Sequence, residues 1–154
     1  MAITRRTDYA VRIMYELAQI PTGATLSVRD LCGAADVPEN FGASIVTFLL
    51  AAGLVRCDGY NKNLLTLALP PEQITMAQII RACEPEFSLA QCTREPDECG
   101  RSGYCGAHRM WLELDAIVWQ RLEDITLAMV AAGMPAERGA SAISRSFSGL
   151  LGTA

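Results

Sequence analysis

Three cysteines lie close together in a short, glycine-containing segment of this 154-residue chain. Cys92, Cys99 and Cys105 have the spacing C-x6-C-x5-C, which prevents all three from lying on one face of a single helix. They can converge only if the segment wraps around a bound group. Because thiolates are soft ligands, the spacing favours an iron–sulfur cluster, with a zinc site or incidental thiols as alternatives.

A fourth ligand is needed beside three thiolates, and two side chains are candidates. His108 follows Cys105 by three residues and could share its site. Asp8 lies far away in the sequence, so its carboxylate could reach the cysteines only through a tertiary or dimer contact. Three thiolates with one oxygen ligand would leave one iron open to attack by oxygen or nitric oxide, which suits sensing better than electron storage.

The composition places this chemistry in an ordinary globular protein. Hydrophobic residues make up 51% of the chain and charged residues 19%, which excludes global disorder. No apolar run approaches the roughly 18–20 residues that span a bilayer, and the N-terminus lacks a secretory signal. We therefore expect a cytoplasmic protein without a membrane partner, in which clustered cysteines indicate metal or redox chemistry rather than disulfides.

The remaining cysteines differ in their surroundings. Cys32, Cys57 and Cys83 are scattered among apolar residues, so we expect them to be small buried hydrophobic side chains. The chain has no C-x-x-C motif and no evident Cys–His dyad on a strand-to-helix turn. A thiol enzyme is therefore not expected.

The net charge of −4 comes entirely from the C-terminal part of the chain. Residues 1–70 contain six basic and six acidic side chains, whereas residues 71–154 contain seven and eleven. This balance argues against non-specific coating of nucleic acid. It permits one local basic face on a dimer.

Residues 1–70 predict a winged helix-turn-helix domain in a mainly α protein. Apolar periodicity and capping signals predict three helices and then a β-hairpin, the element order of that motif. Phe41 and Phe48 fall on the predicted apolar face of the third helix, which Gly53 ends. The predicted helices cover 4–20, 27–35 and about 41–52, and the strands cover 54–57 and 64–69.

Beyond residue 70 the sequence predicts a connecting segment and one long helix. Residues 71–106 contain a helix capped by Thr75 and then the irregular cysteine loop. From about Ala107 to Ala132, a narrow apolar seam is typical of a helix that pairs with a second copy. The seam consists of Trp111, Leu114, Val118, Leu122, Ile125 and Met129. We therefore expect a dimerisation helix over 107–133 and a flexible tail over 134–154.

Motifs in several elements resemble the IscR/NsrR/RirA family of dimeric bacterial winged-helix regulators, the Rrf2 family. The resemblance covers about residues 1–132. It rests on Thr7-Asp-Tyr-Ala-Val-Arg12, Ala52-Gly-Leu-Val55, Ile74-Thr75, the three cysteines, Trp111 and Leu122-Glu-Asp-Ile-Thr-Leu127. It implies a homodimer crossing through the long helices, with a cluster on the three cysteines. Three thiolates and one carboxylate favour a 4Fe–4S cluster over a 2Fe–2S one.

The resemblance also implies a function and a fourth ligand. In nitric-oxide-sensing members the equivalent of Asp8 is donated by the partner subunit, and in members that regulate cluster assembly a histidine occupies the position of His108. The match at Thr7-Asp8-Tyr9 favours Asp8. The implied function is a transcription regulator, such as a repressor, whose cluster senses nitric oxide, iron or redox state. The alternative is a winged-helix protein that binds zinc or a cluster and acts through protein contacts without specific DNA binding.

DNA contacts are predicted on the third helix and on nearby basic side chains. Asn40, Ser44 and Thr47 could reach bases or phosphates, but no arginine on this helix can pair with guanine. The wing, Cys57-Asp-Gly-Tyr-Asn-Lys-Asn63, departs from the Arg-Gly and Gly-Gly-Tyr pattern common in the family. Phosphate contacts are assigned to Arg5, Arg6, Arg29, Arg56 and Lys62.

Overall fold

A computed structural model describes residues 3–133 of the chain, so the tail predicted over 134–154 lies outside the described residues. Within that part the chain is mainly helical. The helices are α1 (Arg5–Gln19), α2 (Val28–Ala34), α3 (Glu39–Ala51), α4 (Met76–Cys83), α5 (Gln91–Arg94), α6 (Gly106–Asp124) and α7 (Leu127–Ala131). The strands are β1 (Leu26–Ser27), β2 (Val55–Cys57) and β3 (Leu64–Leu67), and 3-10 turns cover Pro71–Gln73 and Pro96–Glu98.

The predicted winged helix-turn-helix is confirmed. Strands β2 and β3 form the antiparallel hairpin, with Val55 opposite Leu67 and Cys57 opposite Leu65. Strand β1, a two-residue strand that was not predicted, pairs with the other edge of β3. A strand this short has no readable alternation. No helix among residues 3–133 is both long and apolar enough to cross a membrane.

The core of the domain lies where the apolar face of α1 meets α3 and α4. Ala10, Ile13, Met14 and Leu17 are buried, as the helical spacing predicts. Gly53 follows the C-cap residue of α3, and its φ of +69° lies in the left-handed region that favours glycine. This conformation ends the helix, as predicted.

Helices α2 and α3 pack unusually closely at one glycine. A Cβ on Gly42 would lie 2.0 Å from the Sγ atom of Cys32, so only glycine fits there without a shift of its neighbours. Because the face of α3 that includes Gly42 is buried, the predicted apolar face is partly wrong. Phe41 is 53% exposed and Phe48 is 38% exposed. Phe41 packs edge-on against Tyr9, with ring centroids 6.3 Å apart.

The prediction of a single helix from about Ala107 to Ala132 is wrong, because the helix is interrupted between α6 and α7. Thr126 caps α7 by accepting a hydrogen bond from the amide of Met129 at 3.2 Å. It also forms a bridge to Thr75, flanked by a bond from the amide of Leu127 to the carbonyl of Ile74 at 2.7 Å. Leu127 thereby enters the core of the winged domain. A helical apolar period continues through this break, so the sequence pattern alone does not reveal it.

The first turn of α1 is fastened to the end of α4 by Glu84. Its Oε1 atom accepts hydrogen bonds from the amide of Thr4 at 3.0 Å and from the hydroxyl groups of Thr4 and Thr7. Burial alone would raise the pKa of Glu84. The hydrogen bonds from Thr4 and Thr7 and the charge of Arg6 outweigh burial and lower the pKa of Glu84.

Because the pKa of Glu84 is lowered in the folded state, this carboxylate stabilises the fold at pH values above its ordinary pKa. The stabilisation is lost as the pH falls through the folded-state pKa. Glu84→Gln should therefore lower the free energy of unfolding by about 1 kcal/mol at pH 7, since the carboxylate is only half-buried. The difference from wild type should shrink in acid. Denaturant unfolding between pH 7 and pH 3 measures this, with the exposed Glu86→Gln as control. A deficit that is independent of pH would contradict the ionic role of Glu84.

Candidate functional site

The segment between α4 and α6 is more ordered than the irregular loop predicted for it. Helix α5 and the turn Pro96–Glu98 place Cys92 and Cys99 beside one cavity of about 240 Å³. Both thiols are half-buried. Gln91, Glu95 and Glu98 complete the lining. The structure therefore brings together two of the three predicted thiol ligands.

The third cysteine stands at the start of α6. Cys105 is the N-cap residue of that helix, and its amide donates to the carbonyl of Arg101 at 3.0 Å. One turn further, His108 is only 9% exposed, and its Nδ1 atom has no hydrogen-bond partner among the described residues. Because buried polar atoms are nearly always paired, a ring nitrogen left without a partner is a candidate ligand atom.

The described residues contain no group of three His, Cys, Asp or Glu side chains gathered closely enough for a single metal ion. A 4Fe–4S cluster sets a different requirement, because each of its protein ligands binds a different iron and the ligands lie further apart. Cys92 and Cys99 at one cavity, and Cys105 at the start of α6, supply the thiol chemistry that such a cluster needs.

Asp8 lies on α1, where its side chain is 52% exposed. Its carboxylate pairs with Arg12 at 2.9 Å, one turn along the same helix. The guanidinium of Arg12 also lies 5.7 Å from the ring centroid of Tyr9. Within this chain Asp8 therefore faces outward and is not joined to the cysteine segment.

The other three cysteines belong to the packed domain. Cys32 and Cys83 are buried, as predicted, and Cys57 is half-buried against the core. Burial raises the pKa of Cys32, and it raises the pKa of Cys83 to about 11. These two thiols stay protonated at neutral pH, so they are poor ligands and poor nucleophiles.

Asp115, which was not predicted as a site residue, attaches the cysteine segment to α6. This carboxylate is 9% exposed. Its Oδ1 atom accepts from the amide of Leu89 at 2.7 Å, and its Oδ2 atom accepts from the hydroxyl of Thr93 at 2.5 Å. No sequence signal marks it, because an aspartate inside a helix has the same pattern of neighbours whether it is buried or exposed.

All eight side chains predicted to contact DNA are exposed. Asn40, Ser44 and Thr47 lie on the face of α3 opposite its buried residues. The hydroxyl of Thr47 donates to the carbonyl of Ala43 at 3.1 Å, which leaves its lone pairs free to accept. The exposure of these residues agrees with a role in DNA binding, and that role stays a prediction.

Arg6 differs from the other predicted phosphate contacts. Its guanidinium donates to the carbonyl of Cys83 at 3.3 Å and lies 5.2 Å from the ring centroid of Phe48. It therefore connects α1 with the end of α4 and with α3. Arg5, Arg29, Arg56 and Lys62 are exposed side chains, and the Nε atom of Arg56 donates to the carbonyl of Leu67 at 3.4 Å.

Helix α6 exposes large apolar side chains between Met110 and Ile117. Met110, Leu114 and Ile117 are exposed on one face in the single chain, and Leu112 is exposed on the opposite side of the helix. Leu114 is the only member of the predicted seam among these four side chains. Exposed apolar side chains that share a face are typical of an interaction surface. Trp119 lies off this surface and packs edge-on against Phe87, with ring centroids 5.7 Å apart.

Comparison with known proteins identifies the family of this chain. The sequence profile of the Rrf2 family, described as an iron-dependent transcriptional regulator, matches residues 3–133. The HTH-type transcriptional regulator NsrR of Bacillus licheniformis is 25% identical over 133 residues, which cover 82% of this chain and 93% of that protein.

Two solved structures have a similar fold. CymR, the global cysteine regulator of B. subtilis, superposes with a TM-score of 0.69 at 23% identity and covers 88% of this chain and 99% of that one. IscR of T. potens has a TM-score of 0.70 at 20% identity and covers 90% of this chain and 91% of that one. These two likenesses establish the fold alone. Because the family profile spans most of the sequence, the chain belongs to the Rrf2 family of transcriptional regulators.

Proposed function

We propose that this Rrf2-family protein is a DNA-binding regulator whose DNA affinity depends on an iron–sulfur cluster held by Cys92, Cys99 and Cys105. One observation carries the proposal. Cys92 and Cys99 line one cavity and Cys105 begins α6, whereas Cys32 and Cys83 are buried with raised pKa values. When bound, the cluster supplies iron that nitric oxide or oxygen can attack, or that is lost when iron is scarce. A 4Fe–4S cluster is favoured over a 2Fe–2S one.

The orphaned Nδ1 atom of His108 supports this histidine as the fourth ligand. Asp8, donated by the partner subunit, is the alternative, and its carboxylate would first have to leave Arg12. His108→Ala is therefore expected to change the visible and paramagnetic spectra of the cluster and to shorten its lifetime. Asp8→Ala should leave both unchanged.

Anaerobic spectra of the two variants, recorded side by side, decide between these ligands. A changed spectrum in Asp8→Ala alone would assign the site to the partner's carboxylate and contradict ligation by His108. Unchanged spectra in both variants would mean that neither residue is a ligand.

A homodimer is the second part of the proposal. Pairing of two α6 helices would cover Met110, Leu114 and Ile117, which are otherwise exposed. With 19 residues, α6 is roughly 28 Å long, enough to cross a second copy. The two copies of α3 could then enter successive major grooves about 34 Å apart on a near-palindromic site. We place this regulator in the cytoplasm, with its DNA.

The cysteine segment is joined to both halves of the molecule, which gives the cluster a way to act on DNA binding. Glu84 connects its beginning to α1, and Asp115 connects its middle to α6. Loss of the cluster would release the part from Cys92 to Cys105 and change the spacing of the two DNA-reading domains. Because both half-sites must be met at once, a small spacing error weakens binding strongly.

Selection of genomic fragments by the cluster-bound and cluster-free proteins, followed by gel shift, tests the DNA-binding function. We expect at least one fragment to bind about 10³-fold more tightly than random DNA in one cluster state. Asn40→Ala should weaken that binding by roughly 10-fold or more if the amide pairs with adenine. Gln73→Ala, an exposed change away from α3, is the matched control.

Equal affinity for selected and random DNA in every cluster state would contradict the regulator function. The alternative would then be a winged-helix protein that binds a cluster or zinc and acts through protein contacts.

A further inference from the structure

The buried face of α6 is polar, which is unusual for a helix that packs on its own domain. The buried residues of α6 are His108 and Asp115, two turns apart on one face. Carboxylates are seldom buried unless they are paired or hydrogen-bonded. Among the described residues Asp115 forms no salt bridge, and its two oxygens instead accept hydrogen bonds from Leu89 and Thr93.

We infer that Asp115 is a positioning residue that holds the Cys92 region against α6. The inference rests on the proposed cluster, because Asp115 would fix the place of one ligand, Cys92, relative to Cys105 and His108. Thr93 directly follows Cys92, so the bond to its hydroxyl fixes the backbone beside the ligand. Leu89 lies three residues before Cys92, so the two bonds bracket the thiol along the chain.

The directions of these hydrogen bonds follow from the chemistry of the groups. The hydroxyl of Thr93 lies 2.5 Å from the Oδ2 atom of Asp115 and donates to it. The same hydroxyl lies 2.8 Å from the carbonyl of Ala90. That carbonyl is already served by the amide of Thr93 at 3.2 Å and by the hydroxyl of Ser88 at 3.0 Å. Hydrogen bonds within the turn from Ser88 to Thr93 thus stabilise its conformation, and the carboxylate of Asp115 attaches the turn to α6.

This geometry predicts different outcomes for two substitutions of Asp115. Asp115→Ala removes both acceptors. In Asp115→Asn the amide oxygen can still accept from Leu89, and its NH2 group can donate to Thr93, whose hydroxyl then turns to Ala90. The asparagine variant should therefore preserve the position of the segment, and the alanine variant should not.

Hydrogen exchange of the cluster-free protein tests the anchor without any metal. We expect the amide of Leu89 to exchange roughly tenfold faster or more in Asp115→Ala than in wild type, and near the wild-type rate in Asp115→Asn. Thr93→Val removes only one of the two hydrogen bonds, so its exchange rate at Leu89 should lie between the rates of the two Asp115 variants. This variant replaces Asp115→Ala in the comparison if Asp115→Ala folds poorly. Glu113→Ala, an exposed carboxylate on the same helix, is the control. Equal exchange in all variants would overturn the inference.

The lifetime of the bound cluster tests the positioning role itself. Outer contacts of metal ligands are typically worth 10–100-fold in affinity, so chelator-driven loss of visible absorbance should be about tenfold faster in Asp115→Ala and restored in Asp115→Asn. An unchanged lifetime despite faster exchange at Leu89 would overturn positioning, as would an asparagine variant that behaves like alanine. Absence of a cluster from wild type and every variant would instead refute the proposed function, and the exchange result would still stand.

Discussion

Replacement of Cys92, Cys99 or Cys105 by alanine is expected to remove most of the iron and the visible absorption from anaerobically prepared protein. Each thiolate would bind a different iron, so the loss of any one opens a coordination position that water or oxygen can attack. Iron analysis and absorption spectra of the three variants measure this effect. It is the largest change that a single substitution should cause in this chain.

The chain supplies its own controls for this experiment. Cys32→Ala and Cys83→Ala each remove a buried thiol with a raised pKa, and Cys57→Ala removes a half-buried one. These variants should keep the cluster, although truncation of a buried side chain lowers stability modestly. If iron content fell equally in both sets, or in neither, the assignment of the three ligands would be wrong.

Gly42→Ala is expected to disturb the packing of the helix-turn-helix strongly, although it adds only one methyl group. Its Cβ would lie 2.0 Å from the Sγ atom of Cys32, so the buried Cys32 side chain must rotate or α2 and α3 must move apart. Overpacking of this kind costs about 1–3 kcal/mol, which lowers Tm by roughly 5 °C or more. DNA binding should weaken as well, because α3 carries the predicted base contacts. Thermal unfolding and gel shift measure the two effects.

A matched control and a rescue variant test whether the contact with Cys32 causes the loss of stability. A Cβ on Gly33, in α2, would meet no atom within 4 Å, so Gly33→Ala should be neutral or slightly stabilising. Adding Cys32→Ala to Gly42→Ala removes the clashing sulfur and should recover part of the lost stability. If the double variant were no more stable than Gly42→Ala alone, the contact with Cys32 would not be the cause.

The helical core could be predicted from the sequence because its signals are local. The spacing of Ala10, Ile13, Met14 and Leu17 marks the buried face of α1, and Gly53 marks the end of α3. The break at Thr126 was missed because it depends on a bridge to Thr75, distant in the sequence. The exposure of Phe41 was missed because the next residue, Gly42, lies on the buried face of α3, against Cys32 of α2.

The candidate site was predicted in part. The clustering of Cys92, Cys99 and Cys105 separates them from the cysteines that stand among apolar residues, and this contrast is visible in the sequence. The sequence does not reveal the burial of Asp115 or the unpartnered nitrogen of His108, because both depend on how α6 packs against the cysteine segment. An aspartate inside a helix has the same sequence signature whether it faces solvent or a buried amide.

Iron and acid-labile sulfide content, measured per chain on protein purified and reconstituted without oxygen, tests the proposed cluster most directly. A brown protein that contains iron and sulfide in equal, stoichiometric amounts is the expected result. A colourless protein with no stoichiometric sulfide, whether or not it contains zinc, would contradict a cluster on Cys92, Cys99 and Cys105.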